Sequence, residues 1–261
     1  MMERRNAMFQ SLLFGGGSGG GSGGGSLEKE IIERTISGTY TNSEVTTIGS
    51  YAFAKCNYLE SASFPEATTI GYNAFSTCSA LKSVNAPKVE SILTSAFYSC
   101  SQLMYADFPS AKTVDIGAFS GCGALSYAFF PEALSVNGFA KCSNLTDISF
   151  PKASIVGQNA FLSCYALSKA SFPNASVIQS SAFKACYHLL SLYLLGSTMA
   201  SLWEDAFRST PIGGYTASTG GVYGSVFVPE SLYSNYIANI AWNNFSQRIV
   251  SLTDAQIEAL G

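Results

Sequence analysis

Seven cysteines, Cys56, Cys78, Cys100, Cys122, Cys142, Cys164 and Cys186, recur every 22 residues, with a single interval of 20. Zinc ligands usually come in pairs roughly two to four residues apart, and a disulfide framework has no reason to keep one interval. A fixed period of roughly 20–50 residues marks a stacked repeat array. The chain is therefore expected to fold as a linear stack of similar turns. Other columns keep the same period. Phe53, Phe75, Phe97, Phe119, Phe139, Phe161 and Phe183 precede the cysteines by three residues, and leucines from Leu59 to Leu189 follow them by three. Prolines at 65, 87, 109, 131, 151 and 173 stand six residues after the leucines. An eighth unit keeps Ala206-Phe207 but has Thr210 in the cysteine column. The short interval is a two-residue deletion between Pro131 and Phe139. Every later column stays in phase, so the deletion is expected in a turn.

Within each unit a stretch such as Leu59-x-x-Ala62-x-Phe64 reads as a strand. Parallel strands from successive units would stack at ~4.8 Å. Leu, Ala and Phe would point inward, and the proline would close the strand because it supplies no N–H. Ala-Phe-x-x-Cys has one-turn spacing and predicts a short helical or 3₁₀ segment on the outer wall. No rung buries its apolar face alone, so the rungs should fold as a unit. The pattern Ile70-Gly71-x-x-Ala74-Phe75-x-x-Cys78-x-x-Leu81 resembles the BspA-type leucine-rich repeats of bacteria and their phages, over about residues 45–210. The resemblance implies a leucine-rich repeat horseshoe of β-rich α/β class: a right-handed curved solenoid with one parallel β-sheet, used mainly for protein or surface binding. Leu93, Asp115, Asn137 and Gln179 depart from it in the glycine column, and Ala86 in the strand phenylalanine column.

The array explains an unusual composition. Charged residues make up only 12% of the 261, about half the ordinary share of roughly 25%. Core columns and tight turns leave few positions for Lys or Glu. A net charge of −3 argues against a nucleic-acid partner, which calls for a concentrated basic surface. No apolar run approaches the roughly 18 residues of a membrane span.

The sequence divides into a basic and apolar tag (1–14), a flexible linker (15–26), an N-terminal cap (27–47), the solenoid (48–212) and a C-terminal cap (213–261). The apolar run Phe9 to Phe14 is too short for a secretory h-region of roughly 7–15 residues, so no signal peptide is expected. The tag reads either as a docking peptide for a larger assembly or as a functionally silent start. Three copies of Gly-Gly-Gly-Ser form the linker, natural or engineered, with a mean span of roughly 17–21 Å. Glu28 to Gly38 should shield the first rung as a strand or helix. At the other end, Val226-Phe227-Val228-Pro229 reads as a strand and the following residues as a helix. Thr253 with Gln256 makes a capping box for a last short helix through Leu260.

Nothing marks a catalytic site, a cofactor site or a metal site. The cysteine column reads as small thiols filling tight interior space. The single histidine, His188, lacks a nucleophile and an orienting acid nearby, and reads as a surface or satisfied histidine. Asp107 and Asp147 lie two rungs apart at different offsets. Glycines after the Ile/Val column read as turn residues.

The informative positions are the outward-facing strand residues, two and four after each leucine. Most are small and polar. The exceptions cluster in two adjacent rungs: Tyr105, Asp107, Tyr127 and Phe129, with Met104 beside them. Rigid aromatics beside a carboxylate suit a binding patch. Cross-strand stacking that strengthens the sheet, or burial under the C-terminal tail, would use the same residues. The chain is thus expected to be a non-enzymatic, tethered binding module for a protein or glycan surface ligand, engaged in adhesion or receptor recognition at a cell surface or on a virion. The alternative is an assembly protein docking through residues 1–14.

Overall fold

The computed structural model describes residues 36–260; the tag, the linker and the first part of the N-terminal cap lie outside them. The chain winds as a parallel β-solenoid with two ladders. A wide ladder takes one strand from each rung, among them Ser83–Asn85, Tyr105–Asp107, Tyr127–Phe129 and Asp147–Ser149. A narrow ladder joins eight two-residue strands, from Thr47–Ile48 to Ser201–Leu202. Both run in the register set by the period, as in Ser61↔Ser83 and Thr69↔Ser91. The narrow ladder is additional to the one sheet expected. Two residues are too few to show the alternation that betrays a strand.

The periodic columns form the core. Leu59, Ala62 and Phe64, and their equivalents along the stack, are buried. The Phe53 column runs unbroken to Phe207 as a stack of near-parallel rings; Phe119 stands 5.0 Å from Phe97 and 5.1 Å from Phe139. The second column, Phe108, Phe130, Phe150 and Phe172, stacks beside it. Four exposed lysines each pair with a glutamate one rung earlier, as Lys82 does with Glu60 at 2.7 Å. Water and salt screen such surface pairs, so they add little to stability.

The outer wall differs from expectation. In the first rung the N–H groups of Ala52, Ala54 and Cys56 close turns onto the carbonyls of Gly49, Tyr51 and Phe53. Those of Tyr51, Phe53 and Lys55 instead donate to Tyr72, Ala74 and Ser76 of the next rung. A 3₁₀ segment would spend every N–H locally; here alternate donors tie rungs together, and the segment is a chain of turns. The alternation needs left-handed residues two before and two after each phenylalanine, such as Tyr51 and Lys55 or Ser181 and Ala185. The shortened rung keeps only the second of these, Lys141. Its strands still pair in phase, Val114 with Val136 and Val136 with Val156. The deletion therefore falls in a turn, between Val136 and Phe139. Gly71, by contrast, is not left-handed. A Cβ there would lie 2.7 Å from Ser50 N and 2.8 Å from Ile48 O, so this glycine serves close approach of the preceding rung.

The cysteine column does more than fill space. Cys78 Sγ donates to Phe53 O at 2.9 Å, and Cys100, Cys122, Cys142, Cys164 and Cys186 repeat the bond to the phenylalanine one rung earlier. Only a protonated thiol can donate. Burial pushes Cys122 and Cys164 up to about 12, and raises Cys100, Cys142 and Cys186 for the same leading reason. An unfolded cysteine titrates near ~8.5. Stability from these thiols is thus fully present below that pH and lost as pH climbs towards the folded values near 12. Melting temperature should fall between pH 8.5 and 11, roughly the window those two values set. The fall should be shallower in Cys122→Ala/Cys164→Ala; an identical slope in both proteins would contradict it. In the eighth unit Thr210 Oγ1 donates to Phe207 O of its own rung at 2.8 Å and accepts from Gly213 N. The hydroxyl thus also closes the bend that leaves the array.

Ser37–Thr41 pairs with Tyr58–Ser63 at the first end. At the other, Ser225–Pro229 adds to Ser191–Tyr193, and Ile249–Leu252 adds beyond it. Helix Glu230–Ala238 follows the first of these strands, as the sequence indicates. The capping box at Thr253 and Gln256 is present, on helix Asp254–Glu258. Buried Trp242 and Tyr236 close the stack against Phe207.

Candidate functional site

The pleat alternates side chains between the two faces of the wide sheet. Ala106, Ala128 and Ile148 are buried, while Tyr105, Asp107, Tyr127, Phe129, Asp147 and Ser149 are exposed. Tyr105 pairs in register with Tyr127, and Asp107 with Phe129. Met104 lies at the start of the same face, its carbonyl accepting from Ser126 N and Tyr127 N. The five residues are thus neighbours on one exposed surface. Tyr127 and Phe129 are 47% and 41% exposed, so the C-terminal tail does not bury them. Their rings pair along one strand, 6.4 Å apart and 15° from parallel.

The wide sheet is interrupted on either side of this strand pair, which forms a two-stranded sheet of its own. The interruptions coincide with two irregularities of the sequence. On one side Ala86 replaces the strand phenylalanine; on the other lies the rung shortened by two residues.

Beyond Phe129 the face deepens into a groove of about 580 Å³. Tyr127 and Phe129 stand on one side and Tyr193 and Leu195 on the other, and Leu260 also lines it. Asp147, Ser149, Lys169 and Ser171 make its floor, with Asp147 paired in register to Lys169 and Ser149 to Ser171. The Lys169 ammonium lies over the Tyr193 ring, 5.2 Å from its centroid. Tyr193 in turn stacks on Phe227 at 4.7 Å and 13°. The groove therefore takes two of the five expected residues and leaves Met104, Tyr105 and Asp107 outside. Asp147, Lys169 and Tyr193 are not among the site residues singled out from the sequence, although they stand in the outward columns, where their departure from small polar residues was the available signal. Leu260 belongs to no column, and no periodic signal could place it.

His188 is exposed, its Nδ1 2.7 Å from the Tyr165 carbonyl oxygen, which fits a satisfied surface histidine. Among the described residues no three His, Cys, Asp or Glu side chains converge as metal ligands. None of the described helices is long and apolar enough to cross a membrane.

A family model for the BspA type leucine rich repeat region matches in six copies, over residues 34–138 and 132–220. The chain belongs to this family. Solenoids of the BspA type generally serve protein binding or surface recognition, and the scaffold is typically non-enzymatic. No curated protein matches the chain. Among solved structures it is similar to a leucine-rich repeat protein of T. pallidum, at 22% identity and TM-score 0.51, over 66% of this chain and 75% of that one. Others include a leucine-rich repeat protein of Bacteroides ovatus (16%, TM-score 0.45, covering 73% and 63%) and a leucine rich cell surface protein of Faecalibacterium prausnitzii (19%, TM-score 0.40, covering 85% and 90%). With the T. pallidum protein the solenoid fold is what is shared.

Proposed function

We propose that this BspA-type solenoid is a non-enzymatic recognition module that binds a surface ligand, in adhesion or receptor recognition at a bacterial surface or on a phage particle. One observation carries the reading. The outward rows of the wide sheet are mostly small and polar, yet three large aromatics, Tyr127, Phe129 and Tyr193, line a single groove, with Tyr105 paired in register beside Tyr127. Scattered exposed apolar residues need no explanation, but a contiguous patch does. Rigid aromatics lose little rotamer entropy on binding and dominate the energetics of recognition surfaces.

The test is binding of labelled protein to a panel of bacterial cell surfaces and purified surface polymers. Tyr127→Ala/Phe129→Ala is expected to weaken binding at least roughly tenfold, the order of a hot-spot loss. Melting temperature should hardly move, because truncating exposed side chains changes stability by roughly 0.5 kcal/mol. Full binding by the double variant would overturn the reading.

A further inference from the structure

The groove between Phe129 and Tyr193 has a chemistry narrower than surface recognition in general. We propose that it binds a neutral oligosaccharide; this rests on the recognition reading above and specifies its ligand. The floor carries an acceptor-only carboxylate, Asp147, on the strand next to that of a donor-only ammonium, Lys169, which leans over Tyr193, with Ser149 and Ser171 in register alongside. A cationic ligand meets Lys169, an anionic one meets Asp147, and an apolar knob would desolvate both charges with nothing to replace the lost water. A polyhydroxylated, uncharged ligand meets neither penalty. Each sugar hydroxyl both donates and accepts, so it satisfies carboxylate, ammonium and serine hydroxyl together.

The walls supply the complementary half. A pyranose ring carries an apolar face of C–H groups, which packs against an aromatic ring. Phe129 presents its ring at one side of the polar floor; Tyr193 stands at the other, its ring held between Phe227 and the Lys169 ammonium, and offers its edge and hydroxyl. Both are braced before any ligand arrives: Phe129 by Tyr127, and Tyr193 by Phe227 from the following strand and Lys169 from the preceding one. Pre-organisation of this kind reduces the entropic cost of binding. Three rung steps separate the strand of Phe129 from that of Tyr193, ~14 Å at ~4.8 Å each. That span fits a short run of sugar units laid across the strands, one rung step being close to the length of one extended pyranose unit. The volume of about 580 Å³ also lies within the roughly 300–1,000 Å³ of small-ligand sites.

The experiment is calorimetric titration of the full chain with cellotriose, chitotriose and mannotriose, and with a sialylated trisaccharide and a lysine tripeptide as charged comparators. At least one neutral trisaccharide should bind with a dissociation constant in the range of about 10 μM to 1 mM, the lower end of affinities for small ligands. Phe129→Ala and Tyr193→Ala should each weaken it at least tenfold, and Asp147→Asn and Lys169→Gln should each weaken it as well. Phe129 is exposed, so its variant keeps the test sound even if Tyr193→Ala perturbs folding. Binding of the charged comparators alone, of no neutral trisaccharide, or of one insensitive to Phe129→Ala would overturn the proposal. If cell-surface binding still depends on Tyr127 and Phe129 in that event, the recognition reading survives and only the ligand class falls.

Discussion

Replacing Phe119 with alanine is expected to cost about 3–5 kcal/mol, the usual range for a fully buried phenylalanine, and to split one unfolding transition into two. Phe119 is 0% exposed and sits in the fourth of eight stacked rungs. Its ring touches Phe97 and Phe139 in its own column, and Phe108 and Phe130 in the neighbouring one. Rungs in such an array are coupled only to their neighbours. A void in the middle weakens the two interfaces on which the halves depend for cooperation, and the wide sheet is already interrupted on both sides of the Tyr105–Asp107 and Tyr127–Phe129 pair. Calorimetry should resolve two transitions in the variant, and denaturant titration should report the loss. A single transition shifted by less than about 1 kcal/mol would contradict this account.

What the sequence reveals of this fold follows from how each contact is encoded. Phenylalanine, leucine and cysteine columns are legible because each side chain meets its own equivalent one rung away, so the period in sequence is the neighbour list in space. Even the short rung is legible as a turn deletion, because Phe139 and Cys142 resume their columns. The inter-rung bonds of the outer wall are not. They run between backbone groups, and their requirement is a left-handed conformation met by residues as different as Tyr51, Thr77, Ser99 and Ala185. The thiol donation to the preceding phenylalanine carbonyl is likewise hidden, since a cysteine column reads equally well as small apolar filling. Thr210 was the available clue. It keeps a donor where the array ends and uses it on its own rung.

The site divides along the same line. Tyr105, Asp107, Tyr127 and Phe129 stand out as departures from serine in the outward columns, and they do lie together. The groove beside that patch is also lined by Leu260, which comes from the non-periodic C-terminal segment and which no column could place. The strongest ring contact of the far wall, Tyr193 on Phe227, likewise joins a repeat residue to that segment.

Replacing Trp242 with alanine is expected to match the Phe119 variant in free energy but to act from one end. Trp242 is fully buried, edge-on to Tyr236 at 5.1 Å and tilted against Phe207 at 5.9 Å. Its loss should cost about 3–5 kcal/mol in transfer and cavity terms. A second contribution comes from hydrogen bonding. Ala200 immediately precedes Ser201–Leu202, the end strand of the narrow ladder, beyond which, among the described residues, no further narrow-ladder strand lies to donate to its carbonyl. Trp242 Nε1 donates to Ala200 O at 2.8 Å, and Tyr236 Oη accepts from Ala200 N at 2.9 Å. Burial raises the Tyr236 hydroxyl pKa, which keeps that group neutral beside the core. Trp242 thus does for the Ala200 carbonyl what a ninth rung would have done, and Tyr236 takes the N–H that in earlier rungs bonds to the preceding one, as Ser176 N does to Ser154 O. Trp242→Phe should retain much of the packing but orphan the carbonyl, at about 1–3 kcal/mol, so the two variants separate the contributions. Because coupling runs only between neighbours, the damage should be graded along the stack. Amide exchange should rise first at Ser201 and Trp203, whose N–H groups bond Ser176 and Ile178, and should stay low at Phe97 and Phe119. Uniform acceleration along the whole solenoid would instead show that the array unfolds only as a whole, and that the end contributes to global rather than local stability.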